Sequence, residues 1–370
     1  MERVLEIVFL VALAYQIAAI AAALRYLIHN RQRRAYAPAV SILKPVNGLD
    51  EALEGALRSH LEQDYGEYEV LVGVASPEDP AAPLVRRLLA EHPEVEARLV
   101  ICGTEAPNAK AGKLIDLERE ARYPILLVND SDITVPRDYL EKVVAPLGDR
   151  NTGLVTCPYR AEAGSLAGRW EAFGIATDFI PSTLVALLVG VREFGLGSTL
   201  CFRREDLRTI GGFESVCEYI ADDYQLARRI TALGMRAYMS EIVVATHLNS
   251  PSWAQVWKHQ IRWGRTIRVS RGDGYLGLPV THAGVWGLLL FAAGRPDLGV
   301  ALWLARAAMA YCGGFGALRY WPALLLAPLA VAWDVFAFAV WLTAMRGDTV
   351  VWRSGRMRLS ADGKIVEKIQ

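Results

Sequence analysis

Residues 127–132 read Leu-Val-Asn-Asp-Ser-Asp, an apolar run that ends in two carboxylates one residue apart. On an extended segment Asp130 and Asp132 face the same way, because strand side chains alternate with period two. Paired hard oxygen ligands at the mouth of a cleft suit a divalent cation carrying a diphosphate. Asp and Ser are equally ordinary turn residues, so the triplet alone leaves a turn and a metal site open. A second acid pair, Asp222-Asp223, precedes Leu226, Ile230 and Leu233, which keep one helix face apolar. Negative charge at a helix N-terminus is worth about 0.3–1 kcal/mol. One carboxylate could serve that role and the other a reaction.

Residues 253–271 form a basic, tryptophan-rich stretch with helical periodicity. Trp253, Val256, Trp257 and Ile261 make one stripe, while His259, Arg262 and Trp263 fall at i, i+3 and i+4 on a neighbouring face. Arg262, Arg265, Arg268 and Arg271 recur every third residue. A solvated basic face, a helix at the lipid headgroups and arginines neutralising a diphosphate leaving group are all compatible with this pattern. The three can coexist on different faces.

The elements that must position these groups alternate. Residues 39–43 form a short apolar run stopped by Lys44-Pro45 and Asn47-Gly48, a buried strand followed by a turn. Leu53, Ala56, Leu57 and Leu61 follow at helical spacing. Strands at 69–74, 97–102 and 125–128 are separated by helical stretches at 81–89 and 114–121. Such alternation indicates an α/β fold, a mostly parallel, Rossmann-like sheet covered on both faces. Ligands bind outside the carboxyl ends of these strands. Lys44, Asp79, Lys110, Asp130 and Asp132 all lie just after those ends and should share one crevice. There is no Gly-x-Gly-x-x-Gly turn and no Gly-x-x-x-x-Gly-Lys-Ser/Thr loop, which argues against dinucleotide and P-loop chemistry. No Gly-x-Ser-x-Gly elbow supports a serine hydrolase.

The 370 residues carry 40 basic and 40 acidic side chains, so no global field points to nucleic acid. Five scattered cysteines without a Cys-x-x-Cys pair make neither a disulfide framework nor a zinc site. Apolar content gathers at both ends. Residues 4–28 are long enough for one spanning helix, which needs about 20 residues, and read as an uncleaved anchor. Arg31, Arg33 and Arg34 follow it, so positive-inside logic puts what comes next in the cytoplasm. Residues 298–318 and 323–345 read as two further spans, and 285–293 as a short interfacial or re-entrant piece. Arg306 and Asp334 lie within these spans, where snorkelling and function are both open for Arg306. A basic tail (Arg346, Arg353, Arg356, Arg358, Lys364, Lys368) argues for an even number of crossings after the catalytic region.

Taken in order, these residues resemble a known family. Strand-Lys-Pro, Glu-Asp-Pro-Ala at 78–81, Asn-Ala-Lys at 108–110, Asp-Ser-Asp-Ile at 130–133, Ala-Asp-Asp-Tyr at 221–224 and His-Gln-Ile-Arg-Trp-Gly-Arg at 259–265 occur as they do in the ceramide glucosyltransferase family. These are inverting GT-A glycosyltransferases of family 21, and the likeness is to the bacterial branch that includes hopanoid-biosynthesis enzymes. It spans nearly the whole chain.

The resemblance implies roles. Asp79, with Glu78 as its neighbour, would contact uridine or ribose, and Lys110 would approach the diphosphate. Lys44 and Asp130 would line the donor site. Asp132 with Asp130 would hold Mg²⁺ or Mn²⁺. Asp223 would be the general base, with Asp222 beside it. Arg262 and Trp263 match the Arg-Trp of a Gln/Arg-x-x-Arg-Trp motif whose first position here holds His259, with Gln260 one residue later. The residues Gly195 to Thr199 would border the acceptor. The expected activity is transfer of one glucose or N-acetylglucosamine from a UDP-sugar to the hydroxyl of a ceramide- or hopanoid-like membrane lipid. A processive polysaccharide synthase and a non-catalytic lipid-binding pseudoenzyme are the alternatives. The expected layout is an anchor (1–30), a GT-A catalytic domain (38–250), an interfacial helix segment (251–280), a membrane region (281–346) and a cytoplasmic tail (347–370). That layout implies an integral protein of the bacterial inner membrane with no nucleic-acid partner.

Overall fold

The computed structural model describes residues 2–29, 36–249, 251–352 and 355–369. The chain forms two compact units, each assembled from separated stretches. One comprises Met1–Asn30, Arg160–Val191 and Leu248–Asp362, the other Arg31–Tyr159, Arg192–His247 and Gly363–Gln370. The orientation-setting Arg31, Arg33 and Arg34, and Arg353 of the tail, lie outside the described residues.

The chain opens with helix α1 (Glu2–His29), followed by β1 (Val40–Pro45), α2 (Leu53–Leu61), β2 (Tyr68–Val74), α3 (Ala82–Glu91), β3 (Glu96–Ile101), α4 (Ala109–Glu120) and β4 (Ile125–Val128). This is the alternation read from the sequence, displaced by a residue or two at most ends and by five at the start of α4, which Asn108 sets. β1 and β4 are buried at every position, as strands covered on both faces must be. Leu53, Ala56, Leu57 and Leu61 supply the buried face of α2. Asn108 starts α4 by accepting hydrogen bonds from the backbone N–H of Lys110 and Ala111, a cap worth about 1 kcal/mol.

Then come β5 (Ile133–Thr134), α5 (Tyr139–Val144), β6 (Thr152–Thr156), β7 (Tyr159–Glu162), α6 (Leu166–Gly174), α7 (Ile180–Leu188), β8 (Leu200–Arg203), α8 (Arg204–Thr209), α9 (Asp222–Thr231), β9 (Arg236–Met239), β10 (Val244–His247) and α10 (Trp253–Ser270). The central sheet runs β3-β2-β1-β4-β8-β6-β9. β1 pairs in parallel with both β2 and β4, whereas β8 runs antiparallel to β4 and β6. The sheet is therefore mixed on one side and parallel on the other. Leu43, Leu71, Leu114, Leu117, Leu126, Phe202, Phe213, Leu226 and Ile230 fill the core that fixes it. Because the chain leaves β1 toward β2 on one side and returns to β4 on the other, the crevice between their ends is the topological switch point.

The other unit is helical. Four described helices are long and apolar enough to cross a membrane: Arg3–Ile28, Leu166–Leu188, Pro296–Ala317 and Ala323–Ala344. A fifth candidate is the pair Gly272–Thr281 and Ala283–Ala292, bent by 52°. The Leu166–Leu188 helix, made of α6, a π-helical stretch Ile175–Phe179 and α7, was absent from the sequence reading. Glu171 and Asp178 interrupt its apolar pattern, and both side chains find partners inside this unit. Residues 160–191 group with the apolar helices. Arg306 does not snorkel. Its side chain is wholly buried and bonds to Asp334, also wholly buried, at 2.8–3.0 Å.

Candidate active site

Lys44 sits on β1 beneath the switch point, fully buried, and its ammonium donates to the backbone carbonyl of Asp130 at 3.1 Å. Burial pulls its pKa down to about 7, against the pull of Asp132 and Asp130. The Asp130-Ser131-Asp132 triplet does not continue β4. It turns, closed by Ile133 N–H donating to Asp130 O at 3.4 Å, so the extended geometry expected from sequence gives way to the turn that Asp and Ser favour. The acid pair survives that change. Asp132 is pushed above the usual carboxylate range by burial and then by the charge of Asp130, while its Oδ2 accepts from the Thr246 hydroxyl at 2.7 Å.

Lys110, in the first turn of α4, joins the two acid pairs. Its Nζ lies 2.7 Å from Asp130 Oδ1 and 3.4 Å from Asp222 Oδ2. Burial alone would lower the Lys110 pKa, but the carboxylates of Asp130, Asp222 and Asp223 raise it. α9 opens with Asp222 and Asp223 in its first turn, as the sequence indicated. Asp222 is buried and accepts from the Asn108 side chain at 3.2 Å, which ties the α4 cap to the α9 start. Desolvation first, then Asp222, push Asp223 up to about 6. A buried carboxylate crowded by another is a frequent way to hold a base near neutrality.

Gly197 shows how tightly these groups converge. A Cβ at this position would lie 3.1 Å from both Asp130 Oδ2 and Asp223 Oδ2, and 3.7 Å from Lys110 Nζ. Gly197→Ala should therefore lower kcat/KM at least tenfold without lowering the unfolding temperature, because the methyl group enters the site and not the core. An active Gly197→Ala enzyme would show that this space stays empty during turnover.

Asn129, to which the sequence alone gives no role, ties the site together. Fully buried, its amide donates to Ser198 O at 2.6 Å and to the Tyr139 hydroxyl at 2.9 Å, while its Oδ1 faces His60 Nε2 at 3.1 Å. It locks the aspartate turn to the Gly197-Ser198 loop. Its place beside Asp130 was the only signal in the sequence, and partners about 70 residues apart were invisible there.

Asp79 belongs to the same unit, in the turn after β2. It accepts from Gly48 N–H at 3.3 Å and Ala81 N–H at 2.9 Å, whereas Glu78 is exposed and bonds Ser76. His259, Gln260, Arg262 and Trp263 belong to the helical unit, on α10. His259 Nδ1 and Gln260 Nε2 converge on one oxygen of Glu171, at 2.5 and 2.8 Å. Both side chains of the ambiguous motif position therefore anchor α10 to α6. Arg262 stacks over Trp352 at 4.4 Å, and Trp263 meets Phe179 and His259.

Among the described residues no group of three or more His, Cys, Asp or Glu side chains forms a ready metal cage. Asp130 and Asp132 nonetheless fit a hard divalent cation. Burial and the neighbouring Asp130 raise the proton affinity of Asp132, a penalty that a cation removes, and phosphate oxygens can complete the shell.

The chain is similar to known proteins throughout. It is 30% identical over 241 residues to ceramide glucosyltransferase 1 of Caenorhabditis elegans, covering 64% of this chain and 50% of that protein. Against ceramide glucosyltransferase 3 of the same organism, identity is 26% over 275 residues, 70% of this chain and 55% of that protein. The matched stretch thus spans about half the length of these relatives. In three dimensions it resembles a mannosyltransferase of Pyrobaculum calidifontis solved in complex with GDP-Man and Mn²⁺, with a TM-score of 0.57, 23% identity, and 91% of this chain and 97% of that one covered. That likeness supports a GT-A fold. The pattern described as Glycosyl transferase family 21 runs through residues 4–365, and the chain belongs to that family.

Proposed function

We propose that the protein is an inverting glycosyltransferase that moves one sugar from a UDP-sugar to the hydroxyl of a membrane lipid of ceramide or hopanoid type. The convergence of Lys110, Asp130 and Asp223 around Gly197, with Asp222 held against Lys110, supports this reading most directly. Relatives named ceramide glucosyltransferase support a two-tailed acceptor, and the helical unit supports its delivery from a bilayer.

In this reading Asp223 accepts the proton of the lipid hydroxyl as the oxygen attacks the anomeric carbon from the face opposite the diphosphate. The new C–O bond forms as the bond to the phosphate oxygen breaks, so the configuration inverts and the nucleoside diphosphate departs with the electron pair. Lys110 offers positive charge to that leaving group. Lys44 holds the backbone of the aspartate turn, and Asp222 keeps Asp223 basic and Lys110 in place. Asp130 and Asp132 would hold Mg²⁺ or Mn²⁺, which supplies further neutralisation of the diphosphate when bound. The catalytic unit would face the cytoplasm, where nucleotide sugars are made.

Purified protein in lipid vesicles, offered UDP-glucose and UDP-N-acetylglucosamine with candidate lipids, should yield one hexosyl or N-acetylhexosaminyl lipid by mass spectrometry. A ladder of oligosaccharides would sink the single-transfer reading. Chelation should abolish turnover, and added Mg²⁺ or Mn²⁺ should restore it. Full activity in excess chelator would remove the metal from the mechanism.

A further inference from the structure

The Leu166–Leu188 helix has 23 residues and is long and apolar enough to cross a membrane. At about 1.5 Å per residue it is about 34 Å long, enough for a hydrocarbon core of about 30 Å. Its flanking chain forbids the crossing. On the upstream side Pro158 O accepts from Val244 N–H at 3.1 Å, and β6 pairs with β8 and β9 in the central sheet. On the downstream side Arg192 O accepts from Ala237 N–H at 3.0 Å, so the chain is back at β9 four residues after Leu188. Four extended residues reach at most about 14 Å, and the eight from Pro158 to Leu166 at most about 29 Å. Neither link can traverse a bilayer, and the upstream one carries Arg160 and Glu162.

The helix end itself shows the return. Gly190 adopts φ +91°, with Val191 N–H donating to Ala186 O at 2.9 Å. This left-handed stop ends a helix and reverses the chain. Both ends of the element carry exposed apolar side chains, Leu166 at 74% and Val189 at 69%. Its middle is enclosed by its own unit, where Trp333, Gly313 and Gly314 crowd Gly174, Pro181 and Thr177.

We infer that Leu166–Leu188 is a membrane-docking surface that enters and leaves a single leaflet on the side of the sheet. Parity bears equally on the bent pair Gly272–Thr281 and Ala283–Ala292. β10 ends at His247 paired with β5, and Ile220 N–H donates to Gly363 O at 3.0 Å, so residues 248–362 begin and end on the sheet side. They cross an even number of times. With Pro296–Ala317 and Ala323–Ala344, the two single helices long and apolar enough to span, as the crossings, the bent pair Gly272–Thr281 and Ala283–Ala292 is a non-crossing element. The inference does not depend on the reaction proposed above.

Impermeant maleimide labelling of the full-length protein in sealed vesicles of both orientations tests it. Single cysteines are placed where Cys217 and Cys312, the two native cysteines that are not buried, are replaced by serine. Val189→Cys and Ala293→Cys should react in the same vesicle orientation as Arg150→Cys, and Trp321→Cys in the opposite one. Reaction of Val189→Cys with Trp321→Cys would overturn the assignment. A protease site inserted at Gly164 decides the matter if Val189→Cys is silent, since cleavage from the face of Trp321 overturns it equally. Nitroxides at Leu166 and Leu188 should both report lipid contact in the leaflet nearest Arg150. Aqueous signals at both would remove the membrane from the proposal.

Discussion

Asp223→Asn should lower kcat by 10²- to 10⁴-fold while leaving donor affinity nearly unchanged, the loss expected when a positioned base can no longer take a proton. The pH profile carries the sharper test. Desolvation and then Asp222 raise Asp223 to about 6 from an ordinary 3.8. The group acts only when ionised, so kcat/KM should fall tenfold per pH unit below about 6 and level off above it. Asp222→Asn removes the neighbouring charge that disfavours ionisation, so it should move the acid limb to lower pH. A merely structural Asp222 would lower activity without moving the limb. Full activity of Asp223→Asn with metal and donor supplied would end the assignment.

Breaking the buried pair in the helical unit should produce the largest loss of stability. Arg306 donates to both oxygens of Asp334 and to Thr177 O at 2.9 Å, while Asp334 Oδ2 also accepts from Gly284 N–H at 2.8 Å. Both side chains are wholly buried. Removing either partner leaves an unpaired charge without water, which costs about 3–5 kcal/mol. Arg306→Met or Asp334→Leu alone should therefore lower the unfolding temperature in detergent sharply. The double variant should lose much less than the sum, because no charge is left behind. Additive losses would show that the two charges do not depend on each other. The pair joins segments 129 residues apart through Thr177, so its role is to register the Leu166–Leu188 helix on the spans.

Much of this was legible locally. A buried strand or an amphipathic helix is encoded by the spacing of its own apolar residues, and so β1 to β4 and the helices between them fall within a residue or two of their expected places, except that α4 begins five residues earlier, at Ala109. The spans at 296–317 and 323–344 were equally visible, since sustained apolarity needs no partner to be recognised. Leu166–Leu188 was not, because Glu171 and Asp178 break its apolar run and their bonds to His259, Gln260 and Trp333 belong to distant segments.

The sequence by itself determined the chemistry available: the carboxylates Asp130, Asp132, Asp222 and Asp223, the lysines, and helices long and apolar enough to cross a membrane. Only the tertiary structure decided which of them meet. Sheet order places β1 beside β4, so Lys44 backs the aspartate turn, and it brings α9 to α4, so Lys110 bridges Asp130 and Asp222. It also decided that His259 and Gln260 grip Glu171 and that the Leu166–Leu188 helix is tethered at both ends. The physical reason is common to all of these. Periodicity reports which face of an element is buried, whereas convergence and chain reach depend on strand pairing between residues far apart in sequence.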